Sequence, residues 1–282
     1  MLLDHIPLIC PLDGMPLVRQ GRTLTCSNNH SYDIARQGYV NLLPVQFKAS
    51  RDPGDSKEMI AARRRVLDHG LFDPLIDRLC ELLIDHVNVN RHTLLVDAGC
   101  GEGSYTARFS RALRSRHENA RVLGIDISKP AVQAAAARCR EVAWVVASNH
   151  RLPLEPESID MITSLFGFEA WTHWSEQQRS GQCVLVVDAA RHHLAELREL
   201  IYAERRMHAA PEHEEALTAG YRCTLEMPFR FAMLASEPQL IGDLLLMTPH
   251  GHRAGRRGRE AIEGLSALSL TGDVRLRLYR RE

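Results

Sequence analysis

The sequence predicts an α/β chain, a doubly wound, Rossmann-like domain preceded by a small N-terminal module. From residue 93 onward short apolar strands alternate with amphipathic helices, a pattern that specifies a mostly parallel sheet covered on both faces. The first of these strands runs into Val96-Asp-Ala-Gly-Cys-Gly-Glu-Gly103, where alternating glycines let the backbone turn sharply and pass close to a ligand. The first 36 residues differ: they are rich in turn formers, poor in helical periodicity, and too few to bury a core without a staple. The expected domains are a zinc-binding-like module over 1–36, a linker with helices over 37–90, and the doubly wound domain over 91–282.

In chain order, the module carries Cys10, Asp13, Cys26 and His30 in a C-x2-D-x12-C-x3-H spacing, close to the paired turns that hold a tetrahedral structural zinc. A metal-free remnant of such a module is the other reading. Asp55 followed by Glu58 forms a capping box and Gly70 a stop, which predicts a helix over 56–69; a second amphipathic helix follows near 73–87. Then come strand 93–98, helix 104–116, strand 121–126, helix 129–139 opened by Ser128 and Pro130, strands 142–147, 159–165 and 183–188, and helix 192–206. Beyond 220, alternating apolar segments near 221–230 and 272–280 predict an antiparallel edge pair around a helix near 237–247.

Composition narrows the function. The 282 residues are 45% hydrophobic and 25% charged, as in an ordinary soluble globular chain. The formal net charge of zero does not suit a strongly electrostatic nucleic-acid binder, so phosphate contacts would have to come from local density. Lys48, Arg51, Lys57, Arg63, Arg64 and Arg65 form one such run, and Arg253, Arg256, Arg257 and Arg259 another; each is either a phosphate footprint or a solvated face. No apolar run reaches the ~18 residues of a membrane span, and the N-terminus lacks a basic n-region, so the expected location is the cytoplasm. Seven dispersed cysteines point to reduced thiols, with Cys80, Cys139 and Cys223 as small core residues.

The aspartate before the alternating glycines resembles the first motif of S-adenosylmethionine (SAM)-dependent methyltransferases. The strand Arg121–Asp126 supports this, because it ends in a carboxylate 23 residues after Gly103, where an acceptor for ribose hydroxyls is expected. Together with Gly38-Tyr-Val-Asn-Leu-Leu-Pro-Val-Gln46, Ser50-Arg-Asp-Pro-Gly-Asp-Ser56, Ala62-Arg-Arg64, Val146-Ala-Ser-Asn-His-Arg-Leu-Pro153 and Met247-Thr-Pro249, the chain resembles the bacterial 23S rRNA (guanine-N1)-methyltransferase family. The resemblance runs from about Cys10 to the end. It implies an RNA-binding, rRNA-processing enzyme that methylates guanine N1 in a 23S rRNA hairpin, uses SAM, holds a structural zinc, and leaves a homodimer open.

The resemblance also implies site residues. The zinc ligands fall on Cys10, Cys26 and His30, with Asp13 in place of the family's second cysteine. The family's cofactor contacts fall on Phe72, Gly101, Glu102 and His193, and the glycine turn, the strand that follows it and the 146–153 segment add Asp97, Gly99, Gly103, Asp126 and Asn149 to the cofactor set. Read without the family, Phe72 is an ordinary core aromatic and His193 a capping or surface histidine.

The chain departs from the family after its fourth strand. Where relatives have an Ala-Pro-Cys loop and then a helix leading to Lys-Pro-Gly-Gly, it reads Phe166-Gly-Phe-Glu-Ala-Trp-Thr-His-Trp174 and Arg179-Ser-Gly-Gln182. That loop falls at the carboxyl ends of the strands, where ligands lie in open α/β sheets. Its aromatics Phe166, Phe168, Trp171 and Trp174 either stack on an extruded base or form a buried lid or dimer contact. Guanine N1 carries a proton at neutral pH, so a base is wanted; His150 and Asp188, at strand ends, are the candidates. A same-fold enzyme acting on another RNA base or a small molecule, and a non-catalytic RNA-binding relative, are the alternatives.

Overall fold

The computed structural model describes residues 2–47, 53–86, 93–202, 210–248, 250–253 and 256–282, without the side chains of 252, 253, 256, 257 and 259. Lys48, Arg51 and the side chains of Arg253, Arg256, Arg257 and Arg259 therefore lie outside the described residues, as does the end of the helix expected over 192–206.

The N-terminal module is a three-stranded antiparallel sheet, β1 (Val18–Gln20), β2 (Thr23–Thr25) and β3 (Ser31–Asp33). Strands this short bury little of their own. The module instead packs Leu3, Ile6, Leu8, Leu24 and Ile34 into one core with Leu94, Val96, Leu123 and Val145 of the main sheet. Its backbone is also joined to the loop near residue 154: Leu8 bridges Leu154, Ile9 N–H donates to Pro153 O at 3.0 Å, and Glu155 N–H donates to Pro7 O at 3.0 Å.

The described residues of 37–47 and 53–86 are also part of the main body. β4 (Val40–Asn41) adds to the large sheet in parallel, and Leu42 N–H extends the pairing to Val146 O at 2.9 Å. Two helices follow, α1 (Lys57–Asp68) and α2 (Asp73–His86). The cap of α1 is Ser56, whose hydroxyl accepts from Met59 N–H at 3.2 Å, rather than the expected Asp55. A hydroxyl one residue closer to the first turn satisfies the free amide, and Asp55 is drawn into an ion pair with Arg63.

The alternating series then appears as β5 (Leu94–Ala98), α3 (Ser104–Arg116), β6 (Arg121–Asp126), α4 (Lys129–Arg138), β7 (Ala143–Val146), β8 (Met161–Leu165), α5 (Trp171–Gln177), β9 (Cys183–Ala189) and α6 (Ala195–Ile201). After these come α7 (Glu214–Thr218), β10 (Tyr221–Ala235), α8 (Pro238–Leu246), α9 (His250–Arg253), α10 (Arg256–Glu263) and β11 (Leu268–Arg281). The eight strands lie in the order β10-β11-β9-β8-β5-β6-β7-β4. The β10–β11 and β11–β9 pairs are antiparallel and the rest parallel, so the expected antiparallel edge pair is present. β5, β7 and β9 are buried almost end to end, which is why their sequences read as unbroken apolar runs. Cys139 is buried as expected, whereas Cys223 is exposed, because β10 is half-solvated. No helix among the described residues is long and apolar enough to cross a membrane.

Candidate active site

The turn after β5 is held by β6. Gly99 N–H and Cys100 N–H both donate to Ile125 O, at 2.8 and 2.9 Å, and Gly101 N–H donates to Asp126 Oδ2 at 2.9 Å. The other oxygen of Asp126 accepts from Ser128 N–H at 2.8 Å, so this carboxylate lies against the turn and starts α4. Burial pushes the Asp126 carboxyl up, opposed by the amides of Ser128 and Gly101. The glycines serve different ends. A Cβ on Gly103 would stand 2.7 Å from Trp144 and 2.8 Å from Ala135, so this glycine permits the close packing of α3 against α4. A Cβ on Gly101 would meet only the Arg63 side chain, at 3.5 Å.

Asp97 is buried beneath the turn, where both of its oxygens are used: Thr163 Oγ1 donates to Oδ1 at 2.8 Å, and Thr106 donates to Oδ2. Desolvation pushes its carboxyl up to about 6, against the pull of those two hydroxyls. Glu102 is equally buried, with Oε1 accepting from Ser104 N–H at 3.2 Å and Oε2 lying 2.7 Å from Arg138. Both side chains shape the turn from behind. Asn149 lies in front of it, with Nδ2 3.6 Å from where a Cβ on Gly99 would be. Trp174 Nε1 holds the Asn149 carbonyl at 3.2 Å.

Phe72, His193 and Phe166 come together from three separate segments. The His193 ring lies 6.4 Å from that of Phe72 and 5.4 Å from that of Phe166, and Phe231 closes edge-on against Phe72 at 5.9 Å. Burial lowers the His193 imidazole to about 4, aided by Arg198, so the ring is neutral at physiological pH.

The divergent loop divides between the two roles open to it. Trp171 and Trp174 are buried and pack edge-on at 5.6 Å, whereas Phe168 is 82% exposed and Phe166 42%. The tryptophans are the lid's core; only the phenylalanines face outward. A helix, α5, forms inside this divergent stretch, because Trp171, Trp174 and Gln177 fall on one buried face.

His150 is exposed, with its backbone N–H bound to Ser148 Oγ at 3.3 Å. Asp188 is buried at the end of β9 and contacts two residues that sequence reasoning missed. His213 Nε2 lies 2.8 Å from its Oδ2, and Arg277 lies 3.2 Å from the same oxygen. Glu169 completes the group, with Oε2 3.7 Å from His213 Nδ1 and Oε1 accepting from Ser164 Oγ at 3.0 Å. The only signal for Glu169 was its place in the divergent loop; His213 had none. Arg63 was expected at RNA phosphate, yet it pairs with Asp55, donates to Met247 O at 3.1 Å and lies over Gly101. Arg64 is the more open of the two, with a loose 3.5 Å contact to Asp68.

In the N-terminal module Cys10, Asp13, Cys26 and His30 converge, and their ligand atoms all lie within 4.8 Å of one another. Asp13 Oδ2 is 2.9 Å from His30 Nδ1 and 3.4 Å from Cys26 Sγ; His30 Nδ1 is 3.5 Å from each sulfur. Four donors at this spacing fit the shell of one tetrahedral zinc, whose ligands sit ~2.0–2.3 Å from the metal. The Tyr32 hydroxyl lies 3.2 Å from Cys10 Sγ and supports it, while Asn28 donates to Asp13 at 2.9 Å. The Met15 amide holds the Asp13 carboxyl well below the usual range, so it is an anion ready to ligate.

Comparison with known proteins gives two family matches: the N-terminal zinc-ribbon module of RlmA over residues 8–51, and a methyltransferase domain over residues 95–187. The 23S rRNA (guanine(748)-N(1))-methyltransferase of Streptomyces fradiae is 37% identical over 191 residues, 67% of this chain and 66% of that protein. A Micromonospora griseorubida protein named "Putative 23S rRNA (guanine-N(1)-)-methyltransferase" is 36% identical over 215 residues, 70% of this chain and 69% of that one. A protein with the same description from Bacillus subtilis (strain 168), YxjB, is 28% identical over 280 residues, covering 96% of both chains.

Proposed function

The chain belongs to the 23S rRNA (guanine-N1)-methyltransferase family, and we propose that it methylates N1 of one guanine in a hairpin of 23S rRNA. It is a SAM-dependent enzyme with a structural zinc. The observation that carries the substrate reading is the exposed pair Phe166 and Phe168 at the carboxyl edge of the sheet, beside the glycine turn. Single-stranded or extruded bases are gripped by such rings.

SAM supplies a methyl group on a sulfonium, transferred by in-line displacement. The chain's part is to bind, orient and exclude water. Gly99, Gly101, Asp126 and Asn149 would hold the donor at the turn, and Phe72 and His193 would wall it from solvent; Asp97, Glu102 and Gly103 keep the turn in shape. Residues 1–36, with Arg64, would hold the hairpin, and an rRNA substrate accords with a cytoplasmic location. The test is mass mapping of methylated nucleotides in rRNA from cells with and without the gene. Loss of one 1-methylguanosine is expected; loss of a different modified base, or of none, would overturn the reading.

A further inference from the structure

Resting on that reading, we propose that Glu169 is the base that takes the N1 proton of the target guanine, with His213 and Asp188 as the residues that position it and accept its load. Glu169 lies in the loop after β8, at the carboxyl end of the sheet. This loop touches the donor turn: a Cβ on Gly167 would stand 3.0 Å from Ser164 Oγ and 3.8 Å from the carbonyl of Ala98, the residue before Gly99. The Glu169 side chain keeps 12% of its surface, and the residue before it, Phe168, is exposed.

The groups behind Glu169 form a chain into the protein. Ser164 from β8 donates to Oε1, and His213, at the start of α7, offers Nδ1 to Oε2. Asp188 from β9 holds Nε2, and Arg277 from β11 backs Asp188. Asp188 engages Nε2 of the imidazole, so His213 turns its other nitrogen, Nδ1, toward Glu169. His213 is fixed there at φ +50, a left-handed conformation unusual for a side chain of this size, with Trp171 and Tyr279 edge-on at 5.6 and 6.0 Å. The three donors lie within 4.8 Å of one another, but Arg277 already occupies Asp188, which suits a proton relay and not a dication.

In the step, the N1–H bond breaks with its proton bonding to Glu169, and its electron pair forms the N1–methyl bond. The methyl–sulfur bond breaks with its pair staying on sulfur, so the positive charge of the donor ends as the released proton. Burial pushes the Glu169 carboxyl up; His213 and Ser164 oppose this, and Asp188 adds to it. A base raised toward the working pH takes a proton more effectively.

Glu169→Gln keeps the shape and removes the base. It is expected to lower kcat for 1-methylguanosine formation by ~10²–10⁴-fold, with SAM affinity by calorimetry and KM for an rRNA hairpin within about twofold of wild type. The acidic limb of log kcat against pH should vanish in Glu169→Gln, persist in a weakened Glu169→Asp, and shift in His213→Gln. A Glu169→Gln enzyme within about fivefold of wild type, or one that loses kcat only because SAM no longer binds, overturns the base. If the wild-type protein makes no 1-methylguanosine, the functional reading falls and the base with it; if it does and Glu169→Gln equals it, only the base falls.

Discussion

The guanidinium of Arg63 lies over Gly101, 3.5 Å from where a Cβ on that glycine would stand, while it pairs with Asp55 and holds the Met247 carbonyl. One arginine thus ties α1, the loop before it and the end of α8 to the donor turn. Arg63→Ala is expected to weaken SAM binding by roughly 5–30-fold, in line with ~1–2 kcal/mol for losing a charged hydrogen bond, and to leave the salt dependence of RNA binding unchanged. Arg64→Ala should do the reverse, flattening the slope of log affinity against log salt by up to about one charge. Calorimetry and RNA binding across a salt series separate the two.

Asp126 holds the turn through Gly101 N–H and Ser128 N–H. Asp126→Ala is expected to cost ~1–3 kcal/mol of SAM binding, since it frees two buried amides. Unchanged affinity by calorimetry would remove Asp126 from the site.

The loop aromatics should separate by readout. Phe168→Ala is expected to weaken RNA binding by ~1–3 kcal/mol with no change in melting temperature, as for an exposed stacking ring. Trp171→Ala should instead destabilise the fold by ~3–5 kcal/mol, measured by urea unfolding, because the ring is only 3% exposed.

His193 gives a pH signature. Its imidazole falls from the ordinary 6.5 to about 4 on folding, so between those values the unfolded chain binds more protons than the native one. Stability from this residue is present above pH ~6.5 and lost as pH falls through ~4, on the order of 3 kcal/mol in all. Urea titrations from pH 7 to 4 should show a shallower loss in His193→Phe than in wild type.

The alternating strands and helices, the glycine turn and the cysteine module were legible because each depends on local periodicity or spacing. Phe72 and His193 needed the family, since nothing local distinguishes a wall residue from a core aromatic or a surface histidine. Glu169, His213 and Arg277 were not legible: they lie 44 and 64 residues apart in sequence on three separate elements, and Arg277 reaches Asp188 because β11 returns antiparallel beside β9. The capping box misled for a simple reason, since Ser56 can reach the first free amide and Asp55 is more stably placed against Arg63.

The metal cluster should govern more than its own ribbon. About one zinc per chain is expected to copurify, and Cys26→Ser should release it, by elemental analysis; Asp13→Cys should bind it more tightly, thiolate being the softer ligand. Since Leu8, Leu24 and Ile34 share a core with β5, β6 and β7, each kcal/mol of lost metal-linked stability should lower the melting temperature of the whole chain by about 2–4 °C. Two separate transitions in calorimetry would count against that coupling.

The bridge from Leu8 to Leu154 gives the ribbon a further consequence. The loop it grips leads back through Leu152 and Asn149 to the donor turn, with His173 Nε2 accepting from Leu152 N–H at 2.8 Å along the way. Loss of the metal should therefore loosen the loop that carries Asn149 as well as the ribbon, and weaken SAM binding measured by calorimetry.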